Sequence, residues 1–228
     1  MVSIPILIAS PQGVRGQTAE VIKDFIEEIQ HAGFRTKIIT TPDLSFAACG
    51  GCLACESTDD CVVKDDVQTF QESLLISPGF VLATPVYLMG PPGRLKCLLD
   101  RFWPWMLRPR LFGKYGAVIV TSISYGAESL SEYLSAILES WGLGVVKPVA
   151  TIVPKKDDIE TRKKNLTNCR LLGRRFLDAI EKKKQLKLSS IGKRLIMDIW
   201  RLIQDNKDRF QMSYSYWKEK AIAKRFGI

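Results

Sequence analysis

The apolar positions of the chain follow two periods that alternate. Short runs predicted as strands occupy residues 4–9, 34–41, 79–84, 117–123 and 145–153, and those at 4–9 and 117–123 are apolar enough for strands buried on both faces of a parallel sheet. Segments whose apolar residues recur every three or four positions, typical of amphipathic helices, separate these runs. This alternation predicts a three-layer α/β sandwich around a five-stranded parallel sheet, with the strand order 2-1-3-4-5.

The predicted helices have recognisable ends. The first covers residues 21–29 and ends at Gly33, and the second begins after a cap at Asp65 or Asp66. The remaining helices of this part of the chain are predicted at 95–103, 130–141 and 159–184. Pro148 lies within the fifth strand and cannot donate a hydrogen bond to a neighbouring strand, so that strand is expected to lie at an edge or to be interrupted.

The last part of the chain is not needed by a five-stranded core. We therefore divide the chain into a domain of residues 1–185, with a cysteine-containing connection at 42–64, and a helical extension of residues 186–228. Apolar residues recur at helical spacing in the extension, and lysines and arginines lie beside them. From Lys155 onwards the net charge is +12, whereas the preceding residues carry −3.

Composition and charge narrow the class of protein. The 228 residues are 46% hydrophobic and 25% charged, as in an ordinary globular protein. The chain has no signal-peptide pattern and no apolar run long enough to span a bilayer, so we expect a cytoplasmic protein with reduced cysteines. Its one histidine, His31, lies at the end of the first predicted helix. A hydrolytic triad is therefore not expected, and cofactor chemistry is favoured.

A dense group of cysteines is the strongest candidate site. Four of the six cysteines fall within thirteen residues: Cys49, Cys52, Cys55 and Cys61. Gly50 and Gly51 let the backbone turn tightly between them. This spacing favours a cubane iron–sulfur cluster. Zinc is an alternative, although its sites usually combine two separated Cys-x-x-Cys pairs. A loop of thiols without metal is the third interpretation.

Two loops are expected to border one crevice. Residues 10–18 follow the first strand and precede a helix, and their small and hydroxyl residues suit an anion. Gly13 and Gly16 do not have the spacing of a dinucleotide motif, so a monophosphate is the expected ligand. Residues 85–93 follow the third strand. Ligands of such sheets bind at the carboxyl ends of the strands, where a planar ring would lie against this second loop.

Three motifs together resemble those of the iron–sulfur flavoproteins, a branch of the flavodoxin-like NAD(P)H-dependent FMN reductases. The motifs are Ser10-Pro11 with Thr18, the cysteine run followed by residues 62–66, and residues 84–87 followed by Leu95-Lys96 and Asp100-Arg101. The resemblance runs from Ile4 to about Pro154. It implies a flavodoxin-like fold, bound FMN and a four-cysteine [4Fe–4S] centre beside the flavin. It also implies a homodimer or homotetramer in which the cluster of one subunit approaches the flavin of another.

The resemblance also assigns the flavin contacts by position. The residues that would hold the FMN phosphate are Ser10, Gln12, Gln17 and Thr18. The residues that would line the isoalloxazine ring are Pro85, Val86, Tyr87 and Leu88, with Ser122, Tyr125 and Gly126 on its other side. The family commonly has asparagine immediately before the threonine, where this chain has Gln17.

Three functions follow as hypotheses. The first is an FMN-dependent oxidoreductase that passes electrons between FMN and a [4Fe–4S] cluster on the four cysteines, with no side chain acting as an acid or base. The second is a cluster-free NAD(P)H-dependent FMN or quinone reductase. The third is a non-enzymatic redox sensor or metal store, which Glu56, Asp59 and Asp60 argue against because their charge disfavours a thiolate.

The extension suggests partners. We expect residues 186–228 to pack on their own subunit or on a partner subunit, since their apolar stripe is wide. The basic face would then attract an acidic protein such as a ferredoxin-like electron donor. Contact with a membrane is a lesser expectation, and nucleic acid is not expected because the predicted fold offers no element that reads it.

Overall fold

The sheet has the predicted strand order, with its fifth strand in two parts. The computed structural model describes residues 3–155 and 157–228. Its strands are β1 (Ser3–Ile8), β2 (Arg35–Thr40), β3 (Gly79–Pro85), β4 (Tyr115–Ser122), β5 (Gly144–Val145) and β6 (Val149–Ile152). All described pairings are parallel, and the order is β2-β1-β3-β4-β5, with β6 also paired to β4. The prediction of a flavodoxin-like three-layer sandwich is confirmed.

The fifth strand, predicted at 145–153 with an edge position or an interruption at Pro148, is interrupted. The segment β5 pairs with the start of β4, where Tyr115 lies opposite Gly144, and β6 pairs with its second half, where Ile119 lies opposite Val149. Pro148 lies in the break between the two segments. Its missing N–H explains why the ladder is interrupted there.

Helices cover both faces of the sheet. Those of the first 185 residues are α1 (Gln17–Val21), α2 (Lys23–His31), α3 (Cys55–Thr58), α4 (Asp66–Ile76), α5 (Gly93–Asp100), α6 (Trp103–Leu107), α7 (Ala127–Ser140) and α8 (Ile159–Glu181). The single helix predicted at 95–103 is wrong, because α5 ends at Asp100 and a turn separates it from α6. Pro104 stands in the first turn of α6, where a missing N–H is tolerated.

The two faces of the sheet bury alternate residues of each strand. On one face Leu7, Leu82 and Val120 pack against α4, α5, α6 and α7. On the other face Ile6 and Val81 pack against α1, α2 and α8. Successive side chains of a strand point to opposite faces, so a strand buried on both faces must be apolar at every position. This is why β1, β3 and β4 are visible in the sequence as nearly continuous apolar runs, whereas the largely exposed edge strand β2 is not.

The extension forms three helices that pack on their own chain. They are α9 (Ser190–Asp205), α10 (Gln211–Glu219) and α11 (Ile222–Phe226). Ile196, Ile199 and Trp217 are buried there in a third apolar cluster, which includes Leu107 of α6. The extension therefore covers the segment that follows α5, on the side of the molecule where the cysteine connection lies.

Candidate functional site

Three loops meet at the carboxyl edge of the sheet, as the sequence predicts. They follow β1, β3 and β4. The hydroxyl groups of Thr18 and Thr121 are 2.8 Å apart, which joins the first loop to β4. The amide of Val86 donates to the carbonyl of Thr121 at 2.8 Å, which joins the second loop to the same strand. The loops that carry the residues proposed to hold FMN are therefore joined through β4.

The first loop leaves a helix end open. Ser10 is buried, and its hydroxyl accepts a hydrogen bond from the amide of Gln12. Gln12 and Gln17 are exposed, whereas Thr18 is buried with its hydroxyl near Thr121. No side chain caps α1 at its N-cap, Gly16. The first amides of this helix are the groups that an anion binds.

The loop after β3 contains a strained turn. The backbones of Tyr87 and Gly90 exchange two hydrogen bonds of 2.8 and 2.9 Å around Leu88 and Met89. Both central residues have positive φ, 44° and 64°, and neither is a glycine. Each such residue costs roughly 1–2 kcal/mol. Leu88 is fully exposed and Met89 is exposed. Strain at non-glycine residues is concentrated at functional sites.

The loop after β4 contacts this turn. Gly126 has a φ of 86°, and a Cβ placed on it would lie 3.1 Å from Val86 Cγ1 and 3.3 Å from Met89 Sδ. Ser122 is buried, whereas Tyr125 is 70% exposed. The two loops thus form one wall with exposed aromatic and apolar side chains, as a planar ring requires. The sequence places Val86 and Gly126 in different loops and contains no sign of their contact.

The four clustered cysteines line a single cavity of about 290 Å³. Cys49 and Cys52 are exposed, and Cys55 and Cys61 are half-buried. The far wall consists of Asp100, Arg101, Trp103 and Pro104, from the end of α5 and the start of α6. Within residues 3–155 and 157–228, no three potential ligands stand close enough to hold a metal ion. The four sulfurs thus surround one space without converging on a point.

The other two cysteines lie elsewhere. Cys97 is on α5 and does not line the cavity. Cys169 is fully buried on α8, and burial raises the pKa of its thiol to about 12. Neither of these two cysteines therefore shares the cavity with the other four.

Two unpartnered donors show that the cavity suits a negatively charged sulfur group. Arg101 Nε and Trp103 Nε1 are buried and lack a hydrogen-bond partner among the described residues, and both side chains belong to the cavity wall. Buried donors are almost always satisfied, so such exceptions call for a ligand or another explanation. Donors to the sulfurs are a recurring part of iron–sulfur sites. The cavity wall therefore combines four thiols with two free donors, one of them on a cation, which are groups that iron–sulfur sites use.

Arg101 ties the cysteine connection to α5. Its guanidinium, with a fully buried side chain, binds both carboxylate oxygens of Asp65, at 2.6 and 3.2 Å. It also donates to the carbonyls of Ala47 and Val63, at 2.9 and 3.0 Å. One guanidinium therefore holds the chain on both sides of the four cysteines, at Ala47 and at Val63 and Asp65. This explains how the cysteine segment, residues 47–65, keeps its place without a regular strand.

The folded structure favours the charged forms of Arg101 and Asp65. Burial opposes the charge of Arg101, but the bond to Asp65 and the negative charge of Cys61 raise the pKa of its guanidinium. Burial likewise opposes the carboxylate of Asp65, but the bonds from Arg101 and from the Ala47 amide lower the pKa of that carboxyl. For Cys55, burial raises the pKa of the thiol and the charge of Arg108 opposes the increase.

Arg108 holds the second half of the cysteine segment. Its guanidinium is buried and donates to Glu56 Oε2 at 2.6 Å and to Asp59 Oδ1 at 2.8 Å. It also binds the carbonyl of Cys55 at 2.5 Å. Arg110 pairs with Asp59 and Asp60, at 2.6 and 3.3 Å. The three carboxylates expected to disfavour thiolates are thus each neutralised by an arginine.

The sequence did not predict that Arg108 and Arg110 would anchor the cysteine segment. Arg108 and Arg110 lie about fifty positions from their partners, and their contacts depend on how α6 is placed. A signal was nevertheless present, because Arg94, Arg101 and Arg108 recur every seven residues. Arg94 also binds this connection, through the carbonyls of Thr41 and Leu44.

Comparison with known proteins identifies the family. The family model described as NADPH-dependent FMN reductase matches residues 2–158. The chain belongs to this family. An iron–sulfur flavoprotein of Archaeoglobus fulgidus is 26% identical over 219 residues, which cover 95% of this chain and 97% of that protein. A second iron–sulfur flavoprotein of this organism is 30% identical over 139 residues, which cover 60% of this chain and 70% of that protein. The chain therefore belongs to the iron–sulfur flavoprotein branch.

The comparison with solved structures agrees with the fold described above. The NAD(P)H:quinone oxidoreductase of Methanothermobacter marburgensis superposes with a TM-score of 0.59 at 16% identity, over 76% of this chain and 96% of that chain. Family membership makes this protein a flavin-dependent oxidoreductase with FMN as its flavin. Among the described residues of the flavoprotein, no helix is long and apolar enough to cross a membrane.

The pair of Arg101 and Asp65 predicts a large effect of Asp65→Asn on this flavoprotein. The substitution leaves a buried guanidinium without its counter-charge, so we expect the free energy of unfolding at pH 7 to fall by about 3 kcal/mol. Urea denaturation measures the change. Because the pKa of Asp65 is lowered by folding, the difference from the wild type should be full at neutral pH and should shrink as the pH falls through the folded-state pKa.

Asp100→Asn is the matched control. Its carboxylate pairs with Lys96 on the surface of α5, where the side chains are 45% and 50% exposed. Exposed pairs contribute about 0–1 kcal/mol, so this variant should unfold nearly as the wild type does. Equal effects of the two substitutions would contradict the anchoring role of the buried pair.

Proposed function

We propose that this flavoprotein transfers electrons between FMN and a [4Fe–4S] cluster bound by its four clustered cysteines. The proposal rests on one observation: all four line one cavity, whose wall also carries two buried donors without partners. FMN accepts two electrons together or singly and a cubane exchanges one, so the pair links two-electron to one-electron chemistry. The electron donor is either NAD(P)H or a ferredoxin-like protein.

The residues of this chain have separate tasks in the proposal. The four cysteines ligate the cluster: Cys49, Cys52, Cys55 and Cys61. Arg101 and Trp103 donate to its sulfurs and offset its negative charge. Half-buried Trp103 and buried Pro104, which belong to the cavity wall, limit access of water to the cluster. No acid or base is required, because the group transferred between the cofactors is an electron.

The FMN contacts form the second part of the proposal. The residues proposed for the phosphate are Ser10, Gln12, Gln17 and Thr18, and those for the ring are Pro85, Val86, Tyr87, Leu88, Ser122, Tyr125 and Gly126. Three features support it: the uncapped start of α1, the strained turn at Leu88, and the contact of Gly126 with Val86. The bond between Thr18 and Thr121 leaves the Thr18 hydroxyl capacity for one further hydrogen bond.

Cys52→Ser tests the cluster. Wild-type protein purified without oxygen should contain about four iron and four sulfide per chain. The variant should lose most of the iron and keep its FMN, because Cys52 is exposed and far from the flavin loops in sequence. Cys97→Ser, the control, removes a cysteine outside the cavity and should keep both cofactors. Iron, sulfide and flavin are measured chemically.

The iron content of the wild type decides between the proposed function and the cluster-free alternative. Wild-type protein with FMN but without iron would reject the electron-transfer proposal. If NAD(P)H then bleaches the flavin rapidly, the protein is a cluster-free FMN or quinone reductase.

Gln17→Glu tests the phosphate site. The substitution keeps the shape of an exposed side chain at the first position of α1 and adds a negative charge. Repulsion of like charges should weaken FMN binding by about tenfold or more, whereas riboflavin, which has no phosphate, should bind as before. Fluorescence titration of the apoprotein with each flavin measures both affinities.

Gln30→Glu is the control for this substitution, since Gln30 is exposed on α2 and pairs with Thr36. It should leave both affinities unchanged. Equal weakening of FMN and riboflavin by Gln17→Glu would place the phosphate elsewhere.

We also propose that the protein forms a homodimer or homotetramer. Leu88, Met89, Ile123 and Tyr125 are exposed apolar side chains at one edge of the sheet, and such a patch favours burial in an interface. Leu88→Glu should therefore shift the sedimentation coefficient towards that of the monomer. Ile76→Glu alters an equally apolar residue, 75% exposed at the end of α4, and should not. A monomeric wild type would refute the proposal.

The basic face of the extension supports an acidic protein partner. Lysines and arginines are exposed along α9, α10 and α11: Lys193, Arg194, Arg201, Lys218, Lys220, Lys224 and Arg225. We propose that this face attracts a ferredoxin-like donor. Binding of such a donor should then weaken as the salt concentration rises.

A further inference from the structure

The extension is fastened to the segment between α6 and β4. Trp217 Nε1 donates to the carbonyl of Leu107 at 2.6 Å, and the Tyr216 hydroxyl donates to the carbonyl of Pro109 at 2.5 Å. Both donors belong to α10, and Trp217 is buried. These bonds attach α10 to the chain immediately before and after Arg108.

The same helix makes a buried polar contact with the cysteine segment. Ser213 donates to the carboxylate of Glu56 twice, from its amide to Oε1 at 2.9 Å and from its hydroxyl to Oε2 at 2.8 Å. Arg108 Nη1 lies 2.6 Å from Glu56 Oε2 and 2.7 Å from the Ser213 hydroxyl. The exposed fractions of Glu56, Arg108 and Ser213 are 8%, 1% and 0%.

This contact acts on the cysteines through the backbone of α3. Glu56 directly follows Cys55, and the Cys55 carbonyl is held by Arg108. Asp59, at the end of α3, has a φ of 67° and also binds Arg108, through its side chain and its carbonyl. The chain then reaches Cys61 two residues later. Glu56 is therefore the point at which the extension fixes the segment between the last two cysteines.

A polar triad in this place is not required for the packing of α10. Apolar residues already seat the helix, and replacing a buried ionic group by apolar ones is often neutral or stabilising. What such a group adds is a defined geometry, because each donor and acceptor has one satisfactory arrangement. Because Glu56 directly follows Cys55, the triad fixes the geometry of the chain beside the cavity.

We propose that Ser213 is a positioning residue for the cluster, which makes the C-terminal extension a clamp on the metal site. Ser213 orients Glu56, and Glu56 orients Arg108 and α3, so that Cys55 and Cys61 face the cavity. This inference rests on the proposed function, because it concerns ligation of the cluster by these two cysteines. It assigns the extension a task in the same subunit, separate from any partner.

The test compares two variants of α10. Ser213→Ala removes one hydroxyl from the triad, and Tyr216→Phe, the control, removes one hydroxyl from the same helix without touching the cysteine segment. A chelator is added to anaerobic protein, and the loss of iron is followed. We expect Ser213→Ala to lose iron about five- to tenfold faster than the wild type, because the hydroxyl's hydrogen bonds with Glu56 and Arg108 are both lost. Tyr216→Phe should lose it at the wild-type rate.

Alkylation of cluster-free protein tests the clamp separately from the proposed function. In cluster-free protein, Ser213→Ala should raise the alkylation rate of Cys55 by iodoacetamide several-fold, whereas Cys52, already exposed, should react as before. Mass spectrometry of peptides reports each cysteine. This assay remains decisive if the wild type holds no iron, a result that would reject the proposed function alone.

Three outcomes would overturn the clamp. One is a Ser213→Ala protein whose Cys55 reacts at the wild-type rate. Another is an equal effect of Tyr216→Phe, which would indicate general loosening of α10. The third is faster iron loss with the wild-type electron paramagnetic resonance spectrum of the reduced cluster and unchanged Cys55 reactivity, which would show that the ligands had not moved.

Discussion

Two buried guanidinium groups hold the cysteine segment in place. The segment between β2 and α4 has two short helical turns, Thr41–Asp43 and Cys55–Thr58, and its contacts with the main core come from Leu44 and Phe46, so packing against that core does not fix the part that carries the cysteines. Arg101 binds its two ends through Asp65, Ala47 and Val63, and Arg108 binds its middle through Glu56, Asp59 and Cys55. Arginine suits this task because its planar fork satisfies several acceptors at once and stays charged when buried.

This arrangement links the flavin loops, the cysteines and the extension. Helix α5 begins five residues after Leu88 of the strained turn and ends at Asp100, next to Arg101, so one rigid element of roughly 12 Å separates the flavin wall from the cavity wall. Arg108 follows directly on α6 and meets Ser213 of the extension. FMN and the cluster would therefore each lie against a separate wall, and α5 and α6 connect the two walls.

The sequence predicts the sheet and the cysteines well for a physical reason. Both depend on local patterns: continuous apolar runs for strands buried on both faces, and dense spacing for the thiols. The helix predicted at 95–103 was wrong at its end, where a turn at residues 101–102 separates α5 from α6, whereas the break at Pro148 was predicted. The pairing of Asp65 with Arg101 and of Glu56 with Ser213 spans 36 and 157 positions, and depends on tertiary packing that no local pattern encodes. The left-handed turn at Leu88 was equally hidden, because its residues are not those that favour such a turn.

The central claim is that this protein holds two redox centres, FMN and a cluster on four cysteines. A reductive titration of anaerobically purified protein measures it most directly. FMN takes up two electrons and a cubane one, so the account predicts about three electron equivalents per chain and separate optical changes for the two centres. Uptake of two equivalents per chain, with only the flavin spectrum changing, would contradict it.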